Sequence, residues 1–96
     1  MKIRVKGYMT IKKAMGDEAV LEMEMDNATL GGLLEELSNR YGKGLRDLIF
    51  DPGTKKVRGH NQICVNTRHY IFLQDQLDTE LKDGDVVALI PPVAGG

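Results

Sequence analysis

The sequence predicts an α+β domain, a mixed sheet of about five strands with one long helix packed on one face. Three observations carry this expectation. Lys2–Lys6 and Leu21–Met25 alternate polar and apolar residues with period two, as half-buried strands do. Leu30, Leu33, Leu34, Leu37 and Tyr41 lie on one stripe of an α-helix. Val86–Ile90 is apolar at every position, which suits a strand covered on both faces at the centre of a sheet.

Taken in order, the first strand turns Ile3 and Val5 inward and leaves Arg4 and Lys6 outside. If it pairs with Leu21–Met25 as a hairpin, those cations share a face with Glu22 and Glu24, and such cross-strand pairs contribute a few tenths of a kcal/mol each. The connection from Met9 to Val20 is long for a hairpin. The helix over Leu30–Tyr41 has Thr29 placed as its N-cap, Arg40 in its last turn and Gly42 as its stop in the left-handed conformation. Gly31 and Gly32 each weaken the first turn by about 1 kcal/mol relative to alanine, so packing must compensate. Leu45, Leu48 and Ile49 suggest a single helical turn, broken by Asp51-Pro52-Gly53. Lys55, Lys56, Arg58 and His60 read as an exposed loop or short hairpin, followed by strands at Ile63–Thr67 and Tyr70–Leu73. The last strand opens from the turn Asp83-Gly84-Asp85 and stops at Pro91-Pro92. With strands one and five parallel at the centre, this order is a ubiquitin-like β-grasp, and the chain beyond Ile90 projects from the sheet. Residues 1–96 then form one domain with a flexible tail at 92–96.

Composition excludes several classes. Thirteen Lys and Arg against fourteen Asp and Glu lack the basic excess that a nucleic-acid binder uses to neutralise phosphate. The longest apolar run, Val86–Ile90, is too short to span a bilayer, and no signal-peptide pattern opens the chain, so a cytoplasmic location is expected. A single cysteine permits no internal disulfide.

The chemistry points to the last six residues, Pro91-Pro92-Val93-Ala94-Gly95-Gly96. Two prolines end the strand and stiffen the exit, because proline fixes φ and cannot donate to a ladder. Beyond Pro92 the chain reaches about 13 Å when extended. Gly95 and Gly96 carry no side chains, so their backbone fits a channel too narrow for other residues. A carboxylate at Gly96 becomes an acyl donor once ATP converts it to a mixed anhydride with AMP. Sulfur then gives a thiocarboxylate, and an amine an isopeptide bond. At ~7% glycine usage a diglycine ending arises by chance in roughly 0.5% of chains. The weight therefore rests on its conjunction with the strand, the proline stop and the element order.

The run Leu81-Lys82-Asp83-Gly84-Asp85-Val86 through Gly96 resembles the C-terminal motif of the MoaD/ThiS family of ubiquitin-like sulfur carriers, and is closest to MoaD, the small subunit of molybdopterin synthase. Val65-Asn66 resembles the Val-Asn step of the family's third strand. The resemblance implies a protein cosubstrate and not an enzyme. Gly96 would be adenylated by an E1-like enzyme, with ATP used by that partner and no cofactor bound. The resulting thiocarboxylate would donate sulfur on a large catalytic subunit of molybdopterin synthase type, for the molybdenum or tungsten cofactor. Gly95 would supply clearance and Pro91, Pro92, Val93 and Ala94 would guide the tail. The docking surface would include either Val86, Ala88 and Ile90 or Val87 and Leu89. The free protein is expected to be monomeric. Lys43–Asn61 is long and basic compared with the compact family pattern.

Two further readings stand beside this one. A ubiquitin-like protein modifier, or a carrier for thiamine or another thiolated metabolite, would use the same activated end. A non-catalytic β-grasp binding module would leave the tail inert. A metal site from Cys64, His60 and His69 is disfavoured, since zinc takes four ligands or three plus water and a strand with Ile63 and Val65 inward turns Cys64 away. Gly31-Gly32 lacks the lysine and spacing of a phosphate loop, so close packing is the better account. The Glu22/Glu24, Glu35/Glu36 and Asp83/Asp85 clusters read as solvated faces or turn residues.

Overall fold

The computed structural model describes residues 1–92. Five strands, β1 (Lys2–Gly7), β2 (Val20–Glu24), β3 (Gln62–Val65), β4 (Arg68–His69) and β5 (Val86–Ile90), form one sheet in the order β2-β1-β5-β3-β4. β5 lies at its centre, parallel to β1 and antiparallel to β3. The long helix α2 (Leu30–Tyr41) packs on one face, with Leu30, Leu33, Leu34 and Leu37 buried against Ile3, Val5, Ile63, Val87 and Leu89. Burying a side chain of this size contributes about 1.5–3 kcal/mol, so this seam is the main source of stability. The mixed sheet, the long helix and the parallel central pair are as the sequence predicts.

The capping is also as predicted at one end. The Thr29 hydroxyl accepts from the Gly32 N–H at 3.1 Å. Gly31 is close-packed, since a Cβ there would stand 3.2 Å from the Leu77 carbonyl oxygen. Gly42 ends α2 at φ 91°, ψ −164°, a glycine-only region outside the left-handed helical one. That turn leads straight into α3 (Lys43–Ile49), which spans seven residues where the sequence suggested one turn.

The strand expected at Ile63–Thr67 is Gln62–Val65, and two larger expectations are also corrected. The Met9–Val20 connection contains a short helix, α1 (Met9–Ala14), which buries Ile11 and leads to the buried Met15. It closes on Gly7, where a Cβ would meet the Met15 Sδ at 2.7 Å. The strand expected at Tyr70–Leu73 is instead a 3₁₀ turn, Tyr70–Phe72, and the strand pairing with β3 is Arg68–His69. The cause is a two-residue turn at Asn66 and Thr67, both at positive φ (50° and 72°), which reverses the chain earlier than expected. The His69 Nδ1 then accepts from the Ile71 N–H at 3.3 Å and draws the chain out of the sheet.

Candidate functional site

Val87 and Leu89 are fully buried beneath the sheet, so Val86, Ala88 and Ile90 face outward. Their neighbours in register divide the outer face in two. Toward β2 it is charged, with Arg4 and Glu22 paired at 3.3 Å. Toward β4, apart from the exposed Gln62 beside Ile90, it presents mainly apolar and aromatic groups. Cys64 stands between Ala88 and His69, and the His69 ring stacks on Tyr70 (centroids 5.3 Å apart) and meets the edge of Phe72 at 6.2 Å. Phe72 is 74% exposed and Ile71 48% exposed. The sequence hid this aromatic border because Tyr70–Leu73 reads as an alternating strand.

The start of β5 is fixed by one side chain. The Asn66 Oδ1 accepts from the Val86 N–H at 2.9 Å, while its Nδ2 donates to the Asp85 Oδ1 at 2.9 Å. Asp85 in turn accepts from the Lys82 N–H, and Asp83 from the Lys2 N–H at 2.7 Å. The turn role expected of Asp83 and Asp85 is therefore met, and the Val65-Asn66 step acquires a physical reason. An asparagine tolerates φ 50° and reaches across to the central strand.

At its far end β5 runs into Pro91, which is buried, and Pro92, which is exposed. This exit is flanked on both sides. Because β1 is parallel to β5, α1 begins beside it and contributes Thr10. Because β3 is antiparallel, the residues leading into Gln62, which pairs with Ile90, contribute Arg58, His60 and Asn61. Together with Asp47 and Leu48 these side chains form a shallow groove of about 440 Å³ around the two prolines.

The Lys43–Asn61 excursion is therefore built and not a plain loop. The Asn61 Nδ2, on a side chain only 4% exposed, donates to the Leu48 carbonyl at 2.8 Å. The Arg58 Nε donates to the Asp47 carbonyl at 2.7 Å, and Phe50 pairs with Val57. Asp51 closes the intervening turn by accepting from the N–H groups of Gly53 and Thr54. The Thr54 bond and then the Gly53 bond hold its carboxyl below the usual carboxylate range. In the sequence this region is marked by the helical spacing of Leu45, Leu48 and Ile49, the break at Asp51-Pro52-Gly53 and the basic run.

Of the residues singled out for chemistry, Pro91 and Pro92 lie in the groove, while Val93, Ala94, Gly95 and Gly96 lie outside the described residues. Cys64 and His69 are cross-strand partners, whereas His60 belongs to the tail groove. Among the described residues, no three His, Cys, Asp or Glu side chains cluster as metal ligands, and no helix is long and apolar enough to cross a membrane.

Comparison with known proteins agrees with this geometry. The chain is 32% identical over 96 residues to small archaeal modifier protein 3 of Haloferax volcanii, covering 100% of both. It is 34% identical over 97 residues to the molybdopterin synthase sulfur carrier subunit of Mycobacterium tuberculosis, covering 100% of this chain and 99% of that one. The solution structure of small archaeal modifier protein 1 from Methanosarcina acetivorans superposes with a TM-score of 0.83 at 27% identity, over 99% of this chain and 96% of the other. The ThiS family model matches residues 8–96, and the chain belongs to that family of ubiquitin-like sulfur carriers and modifiers.

Proposed function

We propose that this chain carries sulfur as a thiocarboxylate on Gly96 and delivers it for molybdopterin synthesis. One observation supports this most: the central strand β5 runs directly into Pro91-Pro92 at an open groove, with the diglycine Gly95-Gly96 separated from them by two residues in the sequence. In the proposed sequence the Gly96 carboxylate attacks the α-phosphorus of ATP on an E1-like partner and releases pyrophosphate. A sulfur nucleophile then attacks the acyl carbon and displaces AMP, leaving a C-terminal thiocarboxylate. Gly95 and Gly96 give the tail its narrow cross-section, and Pro91 and Pro92 limit the directions it can leave. The chain is the cosubstrate throughout, and the acyl chemistry belongs to its partners. The apolar half of the outer face, with Val86, Ala88 and Ile90, is the docking surface for a large catalytic subunit.

The test is the intact mass of the chain after incubation with ATP, an E1-like enzyme and a sulfide source. Replacement of one oxygen by sulfur at Gly96, dependent on ATP and lost when Gly95-Gly96 is removed, is the expected result. Activation that survives removal of the two glycines refutes the proposal.

A second reading, conjugation to lysines of other proteins, is favoured by the full-length similarity to a small archaeal modifier protein. Lysine-linked conjugates recovered from cells separate it from the carrier reading, which produces none.

A further inference from the structure

The excursion that departs from the compact family pattern supplies Asp47, Leu48, Arg58, His60 and Asn61 to the groove at the tail exit, and its other cations Lys43, Arg46 and Lys55 line the neighbouring hollow that shares Asp47. We propose that the excursion is a cationic docking collar, matched to an acidic rim around the tail channel of the activating enzyme. This rests on the sulfur-carrier reading above.

The chain as a whole is nearly neutral, with a net charge of −1. The two segments that flank the central strand are not. Between 43 and 61 there are five Lys or Arg (Lys43, Arg46, Lys55, Lys56, Arg58) against two carboxylates, Asp47 and Asp51; Lys43 pairs with Asp47 and Arg46 with Glu35 of α2, so that among the described residues Lys55, Lys56 and Arg58 are the cations of the segment outside ion pairs. Between 75 and 85 there are five carboxylates against Lys82 alone. The first segment leads into β3 beside Ile90, and the second leads into β5 at Val86. The sheet topology therefore sets them at opposite ends of β5, with the tail leaving from the positive end.

Local geometry sharpens the point. Arg58 is half-buried and fixed through its Nε to the Asp47 carbonyl, and among the described residues its two Nη groups have no hydrogen-bond partner. The nearby Asp47 carboxylate is already engaged by Lys43. A guanidinium held in place by its Nε and left with free Nη groups is a preorganised fork for a carboxylate. Four residues separate Pro92 from the end of the chain, a reach of about 13–14 Å. An enzyme that takes Gly96 into its active site must therefore bring the mouth of its channel against this groove. Complementary charge at such a rim governs encounter more than residence.

The full-length chain is assayed by ATP–pyrophosphate exchange with the activating enzyme, varying chain concentration and salt. Lys55→Glu/Lys56→Glu is compared with Arg68→Glu/Lys82→Glu, which changes net charge equally at the opposite end. The collar pair is expected to raise KM about tenfold with kcat within about twofold of wild type, and to flatten the rise of KM with salt. The opposite pair is expected to change KM by less than about twofold. Arg58→Gln moves KM in the same direction, with its denaturation midpoint measured alongside because Nε also ties the excursion together. Equal effects of the two pairs, or an unchanged KM in the collar pair, overturn the collar while leaving the sulfur-carrier reading standing. Absence of ATP-dependent activation of the wild-type chain overturns both.

Discussion

Asn66 offers the sharpest test of how the central strand is held. Its side chain makes two hydrogen bonds, to the Val86 N–H and the Asp85 carboxylate, each at 2.9 Å, and its backbone sits at φ 50°. A net hydrogen bond contributes about 0.5–1.5 kcal/mol, and exposure of this turn puts each near the lower half of that range. Losing both costs about 1–2 kcal/mol. A Cβ without the compensating local hydrogen bond adds about 1 kcal/mol at positive φ. Asn66→Ala is therefore expected to lose about 2–3 kcal/mol in urea denaturation, and Asn66→Gly about 1 kcal/mol less because glycine accepts the angle. For a domain of this size each kcal/mol corresponds to about 4–8 °C in Tm, so the alanine variant is readily measured. A double-mutant cycle with Asp85→Ala isolates the side-chain pair, with an expected coupling of about 0.5–1.5 kcal/mol. A loss under about 0.5 kcal/mol for Asn66→Ala, together with zero coupling, would refute the assignment of Asn66 as the clasp of β5.

Other positions give equally direct tests. Leu37→Ala removes a fully buried side chain from the helix–sheet seam and is expected to cost about 2–5 kcal/mol by denaturant titration. Gly7→Ala forces a Cβ against the buried Met15 sulfur and is expected to cost about 1–3 kcal/mol by denaturant titration, and less than that when it is introduced into a Met15→Ala chain, where the sulfur is gone. Asp51 has a folded-state pKa below its ordinary value, so its contribution is present above the unfolded pKa of 3.8 and is lost as pH falls through the folded value. Asp51→Asn should therefore lower the midpoint of denaturation at neutral pH and converge with wild type in strong acid. A pH-independent difference would show that the turn depends on shape and not on charge.

What the sequence disclosed and what it concealed follow from the range of the interactions involved. β1, β2, α2 and β5 each carry a local period or an unbroken apolar run, and each is where the pattern puts it to within a residue or two. The parallel placement of β1 and β5 also followed, since the only strand apolar on both faces had to be central. α1 was concealed because six residues with a single buried Ile11 cannot show a stripe. β4 was displaced because its position is set by Asn66 and Thr67, which adopt a two-residue reversal without the glycine that ordinarily signals one. The tail exit was legible as a motif in Pro91 and Pro92. Its flanks were not, because Thr10, Arg58 and Asn61 come from segments far apart in the chain and meet only through strand register. The outward set Val86, Ala88 and Ile90 likewise waited on which side α2 covers.

The placement of β5 between a parallel and an antiparallel neighbour also decides how the molecule bears load. A pull on the tail acts along the strand axis, while the ladder bonds to β1 and β3 lie across it, slanted on the parallel side and perpendicular on the antiparallel side. The two ladders are thus loaded in shear, and their bonds share the force and must give way together. An edge strand such as β2 or β4 would instead be peeled off one bond at a time. The tail continues the strand least open to unzipping, so tension from a molecule tethered at this end is taken up first in the middle of the sheet.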